Sequence, residues 1–304
     1  MELDALVRQA AFEFLDALVK RHGDLLPRAE LQRGFEFRGR RVPLLGPEGI
    51  FKPAALPELP LSITTAPPRE GREPRYRDEL SGDGFLQYRY RGTDPRHPDN
   101  AGLRNCMERG TPLVYFHGVV PGRYLAQWPV RIVRDDPASL TFHVSLEDGA
   151  VVSQFPESIA ESADSPVRAY RTIEIQQRIH QRSFRERVLL AYGRICAICR
   201  LRHEELLDAA HIIPDTDPRG VPTVPNGISL CKLHHAAFDE KVVGIRPDFL
   251  IEVRKDVMEE EDGPMLEHGL QHFHGERIQV PRVRAHQPNR AFLEERFDLF
   301  LKAS

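Results

Sequence analysis

Cysteine, methionine and tryptophan are scarce in this chain of 304 residues, which has four, four and one of them. So few cysteines exclude a disulfide framework as the source of stability and, in a reducing compartment, favour metal ligation. No apolar run approaches the ~18 residues that suggest a membrane span, which excludes a helical membrane protein. The opening residues Met1-Glu2-Leu3-Asp4 lack the basic and then apolar pattern of a secretory signal, so a cytoplasmic location is expected. Net charge is small as well, at -3. That total argues neither for nor against a nucleic-acid partner, because DNA affinity follows local basic surface. Lysine is rare beside arginine, whose planar fork suits phosphate and guanine; a GC-rich coding bias would produce the same excess.

With 41% hydrophobic and 29% charged residues the chain reads as soluble and globular. At roughly 150 residues per domain it has room for two. Leu3, Leu6, Val7, Ala10, Phe14, Leu15, Leu18 and Val19 recur at helical spacing and predict a helix over residues 1–22, closed by Gly23. Residues 35–45 alternate like a strand, and the proline-rich stretch 53–74 is expected to be extended or looped. Strand patterns follow at 85–90, 113–118, 124–133 and 140–146, with a short helix at 103–109. Together they predict an α+β chain whose first domain, residues 1–150, is β-barrel-like behind a leading helix. A linker is expected over 151–172 and a second domain over 173–304, opening with a helix at 173–192. Later in that domain come a strand at 249–254 and a helix at 290–301. The acidic run 259–262 reads as a solvated turn, His268, His272 and His274 as surface or core residues, and Cys106 as a small buried side chain.

The chemistry concentrates in the second domain. Cys196 and Cys199 form a C-x2-C pair, and Cys231 and His234 a C-x2-H pair. Two such knuckles close a tetrahedral zinc shell and leave no open position, so the expected Zn2+ is structural and its binding energy doubles as folding energy. His235 in place of His234 is the alternative fourth ligand. Neighbours on a helix point about 100° apart, so only one of them faces the zinc. Between the knuckles the pattern reads strand, turn, strand and then helix. It places His211 on the first strand, Asn226 in the turn, and His235 on the helix with Asp239 one turn later. One imidazole as base, and a second with a carboxylate as metal ligands, is a set suited to phosphodiester hydrolysis. The alternative is a zinc-stabilised fold in which His211 and His235 merely pack; such a scaffold has no need of the extra His, Asn and Asp.

Residues 195–243 resemble the HNH, or ββα-metal, endonuclease family. The likeness rests on C-x2-C, Ala210-His211-Ile212-Ile213-Pro214, Asn226-Gly227 and Cys231-x2-His234-His235-x3-Asp239. It implies that His211 is the general base, that Asn226 fixes the loop and the base, and that His235 binds a catalytic Mg2+ or Mn2+. Many members carry Asp or His directly before the base as a first metal ligand. Here that position is Ala210, which leaves the role to Asp208, on the same strand face, or to Asp239.

A second resemblance covers about 60 residues of the first domain: Tyr76-Arg-Asp78, Asp83-Gly84, Tyr88-Arg-Tyr90-Arg-Gly92, Asp99-Asn100-x2-Leu103 and Gly110-x-Pro112. These are similar to SRA domains, PUA-like barrels that read modified cytosine, although Tyr-Arg-Tyr-Arg stands where that family has Tyr-Thr-Gly. The likeness implies a base pocket in which Tyr76 and Tyr88 or Tyr90 stack on a flipped base and Asp78 accepts from its exocyclic amine. These tyrosines read equally well as β-core residues. The expected partner is therefore double-stranded DNA carrying modified cytosine, cut by a homodimer if both strands are cleaved. Two rivals remain open: a first domain that reads phosphorothioate or unmodified sequence, and a non-catalytic zinc-containing DNA-binding protein.

Overall fold

Val7, Ala11, Leu15 and Leu18 are buried along one stripe of α1 (Glu2–His22), the face that an amphipathic helix turns to a core. Gly23, at φ 70°, follows the helix. The computed structural model describes residues 2–67, 85–146, 166–261 and 263–303. Its chain divides into two units, Met1–Ile179 and His180–Ser304.

After α1 the first unit contains β1 (Leu25–Pro27), α2 (Arg28–Arg33), β2 (Phe35–Phe37), β3 (Arg40–Val42), β4 (Ile50–Phe51) and β5 (Ser62–Thr65). β6 (Leu86–Arg89), α3 (Pro98–Glu108), β7 (Leu113–Val120), β8 (Arg123–Asp136) and β9 (Thr141–Leu146) follow. One sheet runs β4-β5-β7-β8-β9-β6, with β1 also paired to β8. β5 and β7 are parallel and the neighbouring pairs antiparallel. Along β7, Leu113 and Tyr115 enter one core while Val114 and Phe116 enter a second core shared with α1. Burial on both faces explains why this strand reads as a continuous apolar run.

The expected barrel is open: among the described residues β4 and β6 end the sheet without pairing to each other. The curled half-barrel is laced at its seam by Tyr88 of β6, whose hydroxyl donates to the Gly49 carbonyl at 2.9 Å. The single strand expected at 35–45 is instead the hairpin β2–β3, because Arg38 and Gly39 take φ of 49° and 74° and reverse the chain in two residues.

α4 (Pro166–Ala191) begins inside the span expected as linker, and 151–165 lie outside the described residues. Ile175 and Ile179 of α4 belong to a core of the first unit, whereas Phe184, Val188 and Leu189 belong to that of the second. The second unit continues with β10 (Leu207–His211), β11 (Gly227–Cys231), α5 (Lys232–Asp239), β12 (Val243–Ile245), β13 (Ile251–Val253), α6 (Lys255–Glu259), α7 (Pro264–Gly269) and α8 (Arg290–Leu301). β10 and β11 pair antiparallel from Leu207↔Cys231 to His211↔Gly227, and α5 follows directly. No helix among the described residues is long and apolar enough to cross a membrane.

Candidate functional site

The two knuckles meet at the end of the β10–β11 ribbon. Ser229 of β11 fixes the first by accepting from the Ala197 amide through its carbonyl (2.7 Å) and donating its hydroxyl to the Ile195 carbonyl (2.8 Å). Cys231 ends β11, and α5 brings His234 back within its first turn. One ligand atom from each of Cys196, Cys199, Cys231 and His234 lies within 4.8 Å of all the others. The Cys199 and Cys231 sulfurs are 3.8 Å apart, about the edge of a tetrahedron with Zn–S near 2.3 Å. His234 turns Nδ1 to the sulfurs, 3.1 Å from Cys231 and 3.5 Å from Cys196, while its Nε2 donates to the Gly269 carbonyl at 2.9 Å. That outer bond fixes the tautomer with Nδ1 free to ligate. The donor set and spacing therefore fit zinc.

His235 projects elsewhere and keeps 23% of its side-chain exposure. Its Nε2 stands 3.2 Å from Asp239 and its Nδ1 3.7 Å from Asp208, so the two carboxylates flank opposite sides of the ring. Each is steadied from outside. Arg185 of α4 lies 3.7 Å from Asp208. Arg296 of α8 packs over the Phe238 ring and stands 3.4 Å from Asp239. Ala210 is fully buried and offers no ligand. One imidazole with either carboxylate makes a donor set suited to Mn2+ or Mg2+.

His211 ends β10 with its ring stacked on Phe184 at 4.1 Å and 20°. This contact needs Gly227: a Cβ there would stand 2.5 Å from Val188 and 2.8 Å from Phe184, pushing α4 off the ribbon opposite His211. The Nε2 atom of His211 is buried and has no hydrogen-bond partner, a position that an incoming group can complete. Burial lowers the His211 pKa; the charges of Asp215, Asp239 and Asp208 oppose the shift, and His235 adds to it.

Asn226 is fully buried. Its Oδ1 accepts from the Ile213 amide (2.9 Å), while Nδ2 donates to the carbonyls of Ile213 (3.0 Å) and Val221 (3.3 Å). The side-chain amide thus adds a rung beyond His211↔Gly227 and closes the root of the connecting loop, without bonding the His211 ring. Asn226→Ala leaves both polar groups of Ile213 unpaired in the core and should cost about 3 kcal/mol, read as an earlier denaturant midpoint for the second unit.

In the first unit, Tyr76 and Asp78 lie outside the described residues. Tyr88 and Tyr90 are buried at 8% and 2% exposure. Tyr90 stacks on Phe142 at 4.6 Å, and its hydroxyl is held by Asp135 and by Arg104. Both rings are therefore core residues as they stand, the second of the two sequence readings. They also edge a cavity of about 260 Å3 at the seam, with Glu48, Thr64, Thr65 and Arg91.

Sequence reasoning placed Phe184 on the apolar side of the helix over 173–192 and Arg185 elsewhere on it without giving either a part in the site, and it missed Asp215 and Arg296. Arg296 stands 57 residues from Asp239 and carries no local signal.

Residues 196–246 match the family model described as HNH endonuclease. Among solved structures the chain is similar to the modification-dependent TagI restriction endonuclease: 15% identity, 79% of this chain and 81% of that one, TM-score 0.29. It is also similar to the Type IV phosphorothioation-dependent restriction endonuclease ScoMcrA: 14% identity, 62% and 54% coverage, TM-score 0.26. No curated protein matches.

Proposed function

Because residues 196–246 form an HNH endonuclease domain, we propose that this chain hydrolyses DNA phosphodiester bonds as a restriction-type enzyme and that its first unit selects duplexes carrying modified cytosine. The observation that carries the hydrolytic reading is the placement of His235 between Asp208 and Asp239, with His211 at the end of the strand that carries Asp208 and the four zinc-type ligands beside them. In this reading His211 is the general base. Its neutral ring, aligned by Phe184, takes a proton from the attacking water. A divalent ion held by His235 with Asp208 or Asp239 supplies, when bound, charge neutralisation at the scissile phosphate and leaving oxygen. Asn226 keeps the strand end and loop in register around the base, and zinc on Cys196, Cys199, Cys231 and His234 holds the frame.

The seam cavity supports a reading role for the first unit. It is about 260 Å3 in volume, and its wall includes Thr64, whose Oγ1 is buried without a hydrogen-bond partner. A base flipped into it would cost a few kcal/mol, offset by new hydrogen bonds and wall contact. Tyr88 and Tyr90 then form the wall rather than a stacking platform. A single site cuts one strand at a time, so concerted duplex cleavage favours two copies, most simply a symmetric dimer.

The test is a plasmid panel carrying cytosine methylation, hydroxymethylation, glucosylation, phosphorothioation or no modification, incubated with the chain and Mg2+ or Mn2+. Cleavage confined to one or more of the cytosine-modified plasmids is expected. Equal cutting of unmodified DNA, or cutting of phosphorothioated DNA alone, sinks the modified-cytosine reading; no cutting of any plasmid sinks the nuclease reading.

A further inference from the structure

We propose that the β2–β3 hairpin is a contact for the phosphate backbone of duplex DNA; the proposal rests on the reading that the chain acts on DNA. Phe35 and Val42 face each other at the root of the hairpin and are buried in the core shared with α1. The tip, Arg38-Gly39-Arg40-Arg41, therefore projects from a fixed base. All three arginines are exposed.

Elsewhere in the first unit Arg8 pairs with Asp4, Arg33 with Glu30, Arg91 with Glu48 and Asp99, Arg104 with Asp135, and Arg109 with Glu58. No side-chain hydrogen bond or ion pair to a described residue engages Arg38, Arg40 or Arg41. Arg21, Arg28, Arg89, Arg96 and Arg123 likewise show no side-chain ion pair among the described residues, but the hairpin tip gathers three such arginines within four consecutive positions. Glu36 stands opposite Arg41 in the ladder without pairing to it. Arg38 lies over the Phe37 ring, at 5.5 Å.

Arg38 has φ 49°, in the left-handed region that this turn normally fills with Asn, Asp or Gly. An arginine there works against the turn, a cost that glycine would not carry. Three unpaired guanidiniums on a two-stranded ribbon suit duplex DNA: the ribbon is narrow enough for the major groove, and the guanidiniums reach phosphate oxygens along its rim. Such contacts position the duplex without reading its sequence.

The full chain, without added divalent ion, is titrated onto labelled duplexes with and without modified cytosine over a range of salt concentrations. In the Arg38→Gln/Arg40→Gln/Arg41→Gln variant the slope of log affinity against log salt should become shallower by about 2–3, at ~0.9 per phosphate contact. The loss should be equal on both duplexes. The corresponding triple lysine variant should keep most of the slope, since an ammonium also neutralises phosphate. Arg38→Gly should raise the thermal midpoint while weakening binding, a combination that a purely structural role does not produce. An unchanged slope in the glutamine variant, with the wild type bound, overturns the hairpin contact alone. A wild type that binds neither duplex at any salt concentration overturns the DNA reading together with it.

Discussion

Replacing His211 by alanine is expected to lower the cleavage rate by about 100- to 10,000-fold, the range for loss of a general base. Zinc content and DNA affinity should stay at wild-type values. The ring contributes no hydrogen bond to the fold, since its Nε2 has no partner and its described ring contact is the stack on Phe184. The stability cost should therefore be the lost stacking contact, about 1 kcal/mol. The pH profile gives a second readout. Burial holds the His211 pKa below its ordinary 6.5. The base form is thus present above that depressed pKa, and the acid limb of the rate should fall below pH 6.5 as pH drops through it. Stability carries the same sign: the unfolded chain takes up the proton first, so the contribution of neutral His211 is full above the unfolded pKa and is lost as pH falls. A His211→Ala enzyme that cuts at the wild-type rate, or an acid limb centred above pH 6.5, would sink the assignment.

Cys196→Ser should have a different and larger effect on the fold. Structural zinc binds with an apparent ~10–16 kcal/mol, comparable to or greater than the ~5–15 kcal/mol stability of a whole domain. The ribbon and α5 meet at the four ligands, so without zinc the segment 196–246 should unfold and become open to protease. Cleavage falls with it. His235→Ala is the contrasting variant, since it should retain zinc and protease resistance and lose cleavage alone. Retention of zinc by Cys196→Ser, or protease sensitivity in His235→Ala, would show that the two sets of ligands are not divided as proposed.

Much of the second unit was legible because its signals are local. The x2 knuckles bring four ligands together with only two loops to close, and the 100° step along α5 separates His234 from His235 without reference to the rest of the chain. The terminal helix over 290–301 was equally plain from its periodicity. What escaped depends on distant packing. Nothing near Asp239 announces Arg296, and the stack of Phe184 on His211 exists because Gly227 lets a helix approach a strand far along the sequence. The first unit shows the same limit from the other side. Strand pattern marked β7, β8 and β9 closely, but sheet closure is decided by edges, and two-residue β4 is too short to register as a pattern. Arg38 misled the reading of β2–β3 because nothing about an arginine signals a left-handed turn.

Asn226 has a consequence for how freely the chain around it can vary. By pairing with both polar groups of Ile213, it seals the connection between β10 and β11 at its root. The residues between Pro214 and Pro225 then lie outside the strand ladder, tied to it through the bond from Asn226 to the Val221 carbonyl. The alignment of His211 opposite Gly227 is set below that seal, so the stretch between Asp215 and Val221 can change length without moving His211 along its strand as long as those two residues are kept.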